Sequence, residues 1–152
     1  MEAPQNRIWG PALWLLLHSS AERSGTKVLT RLPQEEKRIW LALLGSLRYS
    51  LPCPVCKKHY TKYLFDHPIP LFSKESIRLW LFSLHSHVNQ QTSPLSLEQL
   101  PDHYGKEFFF HECRKIVEEQ MTCALRLGWS NRDDIMKTIR LLEEMRRFYD
   151  FT

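Results

Sequence analysis

The chain is predicted to be all-α, and three observations predict it. Only five glycines against nine prolines occur in 152 residues, and long breaker-free stretches lie between the prolines. Within those stretches apolar residues recur at three- and four-residue spacing, the period of a helix with one buried face. No segment with the two-residue period of a strand competes with that pattern, and no internal repeat is visible.

The first helix is expected over about 10–22, after an arm containing Pro4, and ends in the polar run Arg23-Ser24-Gly25-Thr26. The second covers about 33–49, with Ile39, Leu43, Leu44 and Leu47 at helical spacing. The third starts at the Cys53/Cys56 pair and ends before Asp66-His67-Pro68-Ile69-Pro70, where two prolines stop it. The fourth opens at Ser73 and continues to about residue 91; its capping signal is partial, because Ser76 stands where Glu or Gln would complete the box. Pro94 and Pro101 bracket a loop. A fifth pattern fills 104–127 with Gly128 as its stop, and Ser130 or Asn131 caps a sixth through about residue 148.

A chain of this length suits one domain with a core of its own. Formal net charge is +4, from 21 Lys and Arg against 17 Asp and Glu, and the signs are interspersed. Glu35-Glu36-Lys37-Arg38 and Glu143-Glu144-Met145-Arg146-Arg147 read as solvated helix faces, so nucleic acid is not an expected partner. The apolar run at 12–17 ends at His18 and is too short for a membrane span or a secretory signal, so no membrane association is expected.

Leu51-Pro52-Cys53-Pro54-Val55-Cys56 places two thiols two residues apart where the third helix begins. On a first helical turn such a pair closes a disulfide with little backbone movement, and the helix dipole favours the thiolate. Pro52 and Pro54 suit a helix start, and Lys57 and Lys58 add positive charge near the sulfurs. The pair therefore reads as an exchangeable disulfide. Half of a tetrahedral zinc site is the alternative, with His59 as a conceivable third ligand, but Cys113 and Cys123 are ten positions apart and form no second knuckle. No metal is expected.

On the fourth helix Leu81, His85, Val88 and Asn89 share one face. A buried imidazole and carboxamide left without hydrogen bonds would cost on the order of 1–3 kcal/mol each, so complementary groups should sit against them. A network with the first helix would serve, and so would a planar ligand rich in polar atoms. Cys113 and Cys123, on one continuous helix, would be separated by roughly 15 Å of rise. They could not then pair, and read as two semi-buried free thiols rather than a shuttle pair. Phe108-Phe109-Phe110, Ile116, Met121, Leu125 and Trp129, followed by Ile135, Ile139, Leu142 and Met145, form a large apolar surface that must be covered.

Three segments stand in an order and spacing that resemble the FAD-linked sulfhydryl oxidases of the Erv/ALR type. They are Gly10-Pro11-Ala12-Leu13-Trp14-Leu15-Leu16-Leu17-His18, Pro52-Cys53-Pro54-Val55-Cys56-Lys57-Lys58-His59, and Trp80 through Asn89. The ordered trio Gly-X-X-X-Trp-X-X-X-His, Pro-Cys-X-X-Cys and Trp-X4-His-X-X-Val-Asn makes the resemblance specific over about 7–91. It implies a four-helix bundle over 1–95 holding FAD, with 96–152 as a C-terminal helical extension packed on the bundle or at a subunit interface.

The resemblance further implies that Trp14, His18, His85, Val88 and Asn89 line the flavin nucleotide and that Gly10 lets the backbone approach it. His59 matches a position where several relatives carry histidine. Trp80 matches a family aromatic, and a core tryptophan explains it equally well. Cys56 would be the flavin-proximal sulfur and Cys53 the distal one attacked by protein dithiol substrates. Electrons would pass to FAD and on to dioxygen, giving hydrogen peroxide.

This chain departs from the family where Ser86 follows His85, a lost hydrogen bond that His87 could replace, and where 90–94 lack a basic residue for the FAD phosphates, a role left to Arg7, Lys57, Lys62 or another residue. A second structural disulfide is not recognisable. A homodimer is expected from the family's habit. The compact chain looks like the minimal viral members, which implies the cytoplasm of an infected host cell or the virion. A flavin-free thiol–disulfide exchange protein and a non-enzymatic helical adaptor remain as other classes.

Overall fold

Leu16 and Leu17, Leu43 and Leu44, Ile77 and Leu81, Val117 and Met121, and Leu142 and Met145 come from five helices and meet in one core with almost no solvent exposure. The computed structural model describes residues 2–70, 73–89 and 95–152. Among these, seven α-helices follow one another: α1 (Asn6–Glu22), α2 (Pro33–Ser50), α3 (Pro54–Asp66), α4 (Lys74–Val88), α5 (Leu100–Tyr104), α6 (Phe110–Arg126) and α7 (Arg132–Phe148). No strand occurs among the described residues, and none of these helices is long and apolar enough to cross a membrane.

α1 packs between α4 and α6, α2 between α3 and α7, and α6 against α7. Most of the C-terminal apolar surface therefore finds its cover within the chain, on α1 and α2, while Phe109, Ile116 and Trp129 stay exposed. Polar locks fix this docking. Tyr149 donates to the buried Glu36 carboxylate at 2.5 Å and accepts from Trp40 Nε1 at 2.8 Å. The Thr138 hydroxyl of α7 is hydrogen-bonded with the Ser46 and Ser50 hydroxyls of α2, at 2.9 and 2.6 Å, and the Gln5 amide donates to Gln120 of α6.

Three boundaries differ from the sequence reading, each for a local reason. α1 starts at Asn6 rather than near Gly10, with Pro11 inside it. The hydrogen bond that Pro11 cannot donate is lost on the solvated face, where Pro11 and Arg7 are both exposed. The expected helix over 104–127 is two elements: α5 ends at Tyr104, and α6 begins only at Phe110. Gly105 closes α5 so tightly that a Cβ there would collide with the Pro101 carbonyl oxygen. α4 ends at Val88 with Asn89 as its C-cap, and the expected extension to 91, the gap at 90–94 and Pro94 lie outside the described residues.

Other caps follow the sequence. Ser73 and Ser76 form a reciprocal capping box with serine in the place of Glu. Asn131 caps α7 by accepting from the Asp133 amide at 2.7 Å. Gly128, at φ +76°, ends α6 in a Schellman motif in which its amide donates to Leu125 O and the Trp129 amide to Ala124 O. Cys113 and Cys123 both lie on α6 as half-buried free thiols, and burial first, then the Glu112 charge, raises the pKa of Cys113.

Arg23, just past α1, determines where α5 sits. Its guanidinium donates to Ser19 O at 2.9 Å, to Tyr104 O at 3.1 Å and to the Gly105 and Lys106 carbonyls, and it lies over the Phe151 ring. One side chain thus holds the C-terminal end of α5, and Tyr104 with it, against α1.

Candidate active site

Cys53 is the N-cap of α3 and Pro54 its first residue, so the backbone leaves α2 through Leu51-Pro52 and turns directly into a helix. Cys53 and Cys56 form a disulfide across this first turn, with Cα atoms 5.1 Å apart. The Cys56 amide donates to Cys53 Sγ at 3.2 Å. Asn6 Nδ2 donates to Cys56 Sγ at 3.6 Å, and Trp9 Nε1 donates to Asn6 Oδ1 at 3.1 Å, so the start of α1 is hydrogen-bonded to the redox turn.

A cavity of about 1050 Å³ opens beside this turn, walled by α1, α3, α4, α5 and the end of α2. That lies at the top of the roughly 300–1,000 Å³ range usual for small-molecule sites. Cys56 lines it and Cys53 does not. Its floor is apolar, from Leu13, Leu17, Leu47, Leu51 and Leu84, with Tyr60 and Tyr63 from α3.

Four rings follow one another along one side. Trp14 stacks on His85 at 4.0 Å and 7° between planes, His85 Nδ1 and His18 Nε2 share a hydrogen bond at 3.0 Å, and His18 stacks on Tyr104 at 4.6 Å. Burial, reinforced by the His85 and His103 charges, pushes the pKa of His18 from 6.5 down to about 3, and burial lowers that of His85. Both imidazoles are therefore neutral at pH 7, and in their shared hydrogen bond one ring nitrogen donates while the other accepts. Burial alone raises the pKa of Tyr60, far above the ordinary tyrosine range, and its hydroxyl donates to the Leu44 carbonyl.

Of the residues expected to hold a cofactor, Gly10, Trp14, Cys56, His59, His85, Val88 and Asn89 line the cavity. His18 stands one layer behind His85 and orients it. Trp80 stands behind Tyr60 and Tyr63, which it meets edge-on, and its Nε1 donates to the His67 carbonyl, the position of a core tryptophan. A Cβ at Gly10 would meet no atom within 4 Å, so protein packing does not demand glycine there, and the backbone is bare on the cavity wall. Among the proposed phosphate candidates, Arg7 lines the cavity, Lys62 is paired with Asp66 at 2.8 Å, and Lys57 is bound to the α6–α7 turn.

Sequence reading missed Asn6, Tyr60, Tyr63, His103 and Tyr104, all of which line the cavity, as does His87, the expected substitute for the hydrogen bond lost at Ser86. Asn6 has a testable role. Its amide donor favours a charged sulfur over a neutral one, so Asn6→Leu should shift the thiolate titration of Cys56 in the reduced protein to higher pH, which thiolate absorbance against pH would show. An unchanged titration would remove Asn6 from the redox machinery.

A Cys-X-X-Cys disulfide at a helix start, opening through one sulfur onto a ring-walled cavity in a helical bundle, defines the class: a thiol–disulfide centre beside a cavity of small-molecule size. The model of the Erv1/Alr family matches residues 11–104, well over half of the chain, and the chain belongs to that family. The match runs through α5, which carries Tyr104. A protein of African swine fever virus (isolate Tick/Malawi/Lil 20-1/1983) named FAD-linked sulfhydryl oxidase is 31% identical over 87 residues, covering 55% of this chain and 66% of the relative. The protein of the same name from isolate Pig/Kenya/KEN-50/1950 is 31% identical over 85 residues, with the same coverage of both chains. The match thus spans slightly under two thirds of these curated relatives. No solved structure matches the chain significantly.

Proposed function

We propose that the chain is a flavin-dependent thiol oxidase that forms disulfide bonds in protein substrates, with FAD in the ring-walled cavity, dioxygen as terminal acceptor and hydrogen peroxide as product. The carrying observation is that Cys56 lines the cavity while its disulfide partner Cys53 does not, so one sulfur faces the cofactor space and the other is left for substrate. Family membership and the FAD-linked names of the relatives support the same reading.

The cavity suits the cofactor. Apolar and aromatic walls would take a flat ring system, His85 and Asn89 supply polar contacts, bare Gly10 allows close approach, and Arg7 offers charge for a phosphate. When bound, the flavin supplies the two-electron acceptor that returns the Cys53/Cys56 dithiol to the disulfide.

The remaining steps belong to the chain. A substrate thiolate attacks Cys53 Sγ, the Cys53–Cys56 bond breaks, and Cys56 leaves as a thiolate held by Asn6 Nδ2 and the first-turn dipole of α3. A second substrate thiolate attacks the substrate sulfur of the mixed disulfide, releasing oxidised substrate and the Cys53 thiolate. The electron pair then resides on the Cys53/Cys56 dithiol. His18 fixes the ring of His85 through their shared hydrogen bond, and Trp14 stacks on its face, so the polar edge of the cavity is held in one orientation.

Of the helices in 96–152, α6 and α7 act in this reading as a brace on the flavin bundle of 1–95, while α5 adds His103 and Tyr104 to the cavity wall. A homodimer is proposed on the family resemblance alone, because most of the C-terminal apolar surface is covered within the chain. We infer the cytosol of an infected cell or the virion as its place of action, a reading that the viral origin of the relatives supports.

The test is the visible absorption spectrum of the purified protein before and after anaerobic dithiothreitol. Oxidised-flavin bands should bleach with the dithiol and return in air with release of peroxide. A protein that is colourless and stays colourless when FAD is added overturns the proposal and leaves simple disulfide exchange.

A further inference from the structure

We propose that the turn between α6 and α7 is a docking lip for the polypeptide that brings its thiol to Cys53, with Trp129 as the specificity-determining residue. The inference rests on the thiol-oxidase reading above and adds to it the kind of substrate segment preferred: an extended one with apolar residues beside its cysteine.

The turn is fastened to the redox helix. Lys57, immediately after Cys56 and one helical turn from Cys53, donates through Nζ to the Trp129 carbonyl at 2.5 Å and to Ser130 Oγ at 2.7 Å. The Lys57 amide in turn donates to the Cys53 carbonyl at 2.9 Å. The Trp129 backbone is therefore one lysine side chain and one helical turn from the residue that substrate attacks. Burial lowers the pKa of Lys57, with Asp134 of α7 opposing, which is the mark of an ammonium partly withdrawn from water to make this tether.

The turn is also stiff. Gly128 at φ +76° and the two Schellman hydrogen bonds close α6, and Asn131 opens α7 three residues later. What this stiff turn presents is apolar: Trp129 is 40% exposed and Leu127 36%, and Val55, between the two cysteines, is 61% exposed. Single exposed apolar residues are ordinary on a surface. These three differ because two are carried on a turn tied to the helix that bears the third.

The covalent chemistry supplies the occupant. A mixed disulfide holds the substrate Cα within about 5.5–6 Å of the Cys53 Cα. Residues on either side of an extended substrate then follow at about 3.3 Å per residue, so they must lie along whatever flanks Cys53. A small dithiol such as dithiothreitol has no flanking residues and does not reach the lip.

The test needs no flavin. In Cys56→Ser the remaining Cys53 thiol exchanges with a symmetrical peptide disulfide, forming one Cys53–peptide disulfide and releasing one peptide thiol. The equilibrium constant should be about tenfold larger for a cysteine flanked by Leu and Phe than for one flanked by Gly and Ser. Adding Trp129→Ser, which keeps the backbone carbonyl and so the tether, should bring the two peptides within about twofold. Equal constants for the two peptides in Cys56→Ser, or a preference for an acidic segment instead, overturn the lip, as does a preference that survives Trp129→Ser.

In the intact enzyme Trp129→Ser should leave dithiothreitol oxidation unchanged and raise KM for a reduced, unfolded polypeptide. A parallel change with both substrates also overturns the lip, whereas a parent protein that oxidises neither overturns the oxidase reading instead.

Discussion

Cys56→Ser should reduce thiol oxidation to the background rate of the solution while leaving the helical fold in place. Both halves of that expectation follow from where the pair sits. The disulfide closes a loop of four residues at the start of one helix, so its loss removes a constraint of only about 2 kcal/mol from the unfolded chain. Five helices continue to share the core that Leu16, Leu43, Leu81, Met121 and Met145 fill. Chemistry has no such reserve, since among the described residues no other sulfur lines the cavity, and both other cysteines lie on α6, partly covered and unpaired. Circular dichroism would report the fold, and peroxide release with dithiothreitol would report the activity.

Cys53→Ser should be equally inactive by a different route, and the two variants can be told apart. Cys56→Ser keeps the sulfur that substrate meets, so it should accumulate a mixed disulfide that mass spectrometry detects. Cys53→Ser leaves only the sulfur bonded to Asn6 at the cavity, and should accumulate much less. Mixed disulfide at equal level in both variants would reverse the roles given to the two sulfurs.

The redox turn was readable in the sequence because its determinants are local. Pro52, Pro54 and two cysteines at helical spacing specify a helix start whatever packs above it, and the structure places Cys53 at the N-cap and Pro54 at the first position. The His85/Asn89 face was readable for a related reason: polar groups recurring on an otherwise apolar stripe need partners, and His18 is one of them. Tyr60 and Tyr63 carried no comparable signal. Periodicity shows that they share a buried face, but not that this face borders empty space.

Asn6 was lost with the start of α1, because Gly10-Pro11 reads as a helix boundary when the loss of one exposed hydrogen bond is not weighed against the packing of Trp9 and Leu13. Tyr104 was lost because the break after it is tertiary. It depends on Arg23, eighty-one residues away, gathering the Ser19, Tyr104, Gly105 and Lys106 carbonyls around one guanidinium. No window of sequence contains that contact.

The second large effect expected is loss of stability in mild acid through His18. In the folded protein its pKa lies at about 3 instead of 6.5, chiefly because burial between α1, α4 and α5 penalises the imidazolium, and further because His85 and His103 are near. The unfolded chain takes up a proton at His18 near pH 6.5 and the folded one does not until about pH 3, so the unfolded state binds more protons throughout that window. Stability from this group is therefore complete above pH 6.5 and falls as the pH is lowered.

At 1.36 kcal/mol per pH unit, the loss between pH 7 and pH 5 is about 2 kcal/mol. That interval lies above the ordinary carboxylate range, so the acidic residues of the surface ion pairs contribute little to it. His18→Gln keeps an amide able to hydrogen-bond to His85 Nδ1 and has nothing to titrate. Urea unfolding of the parent should thus lose about 2 kcal/mol more than His18→Gln on going from pH 7 to pH 5. Equal losses in the two proteins would mean that His18 meets water in the folded state, and the four-ring wall from Trp14 to Tyr104 could not then be the sealed layer that orients His85 at the cavity.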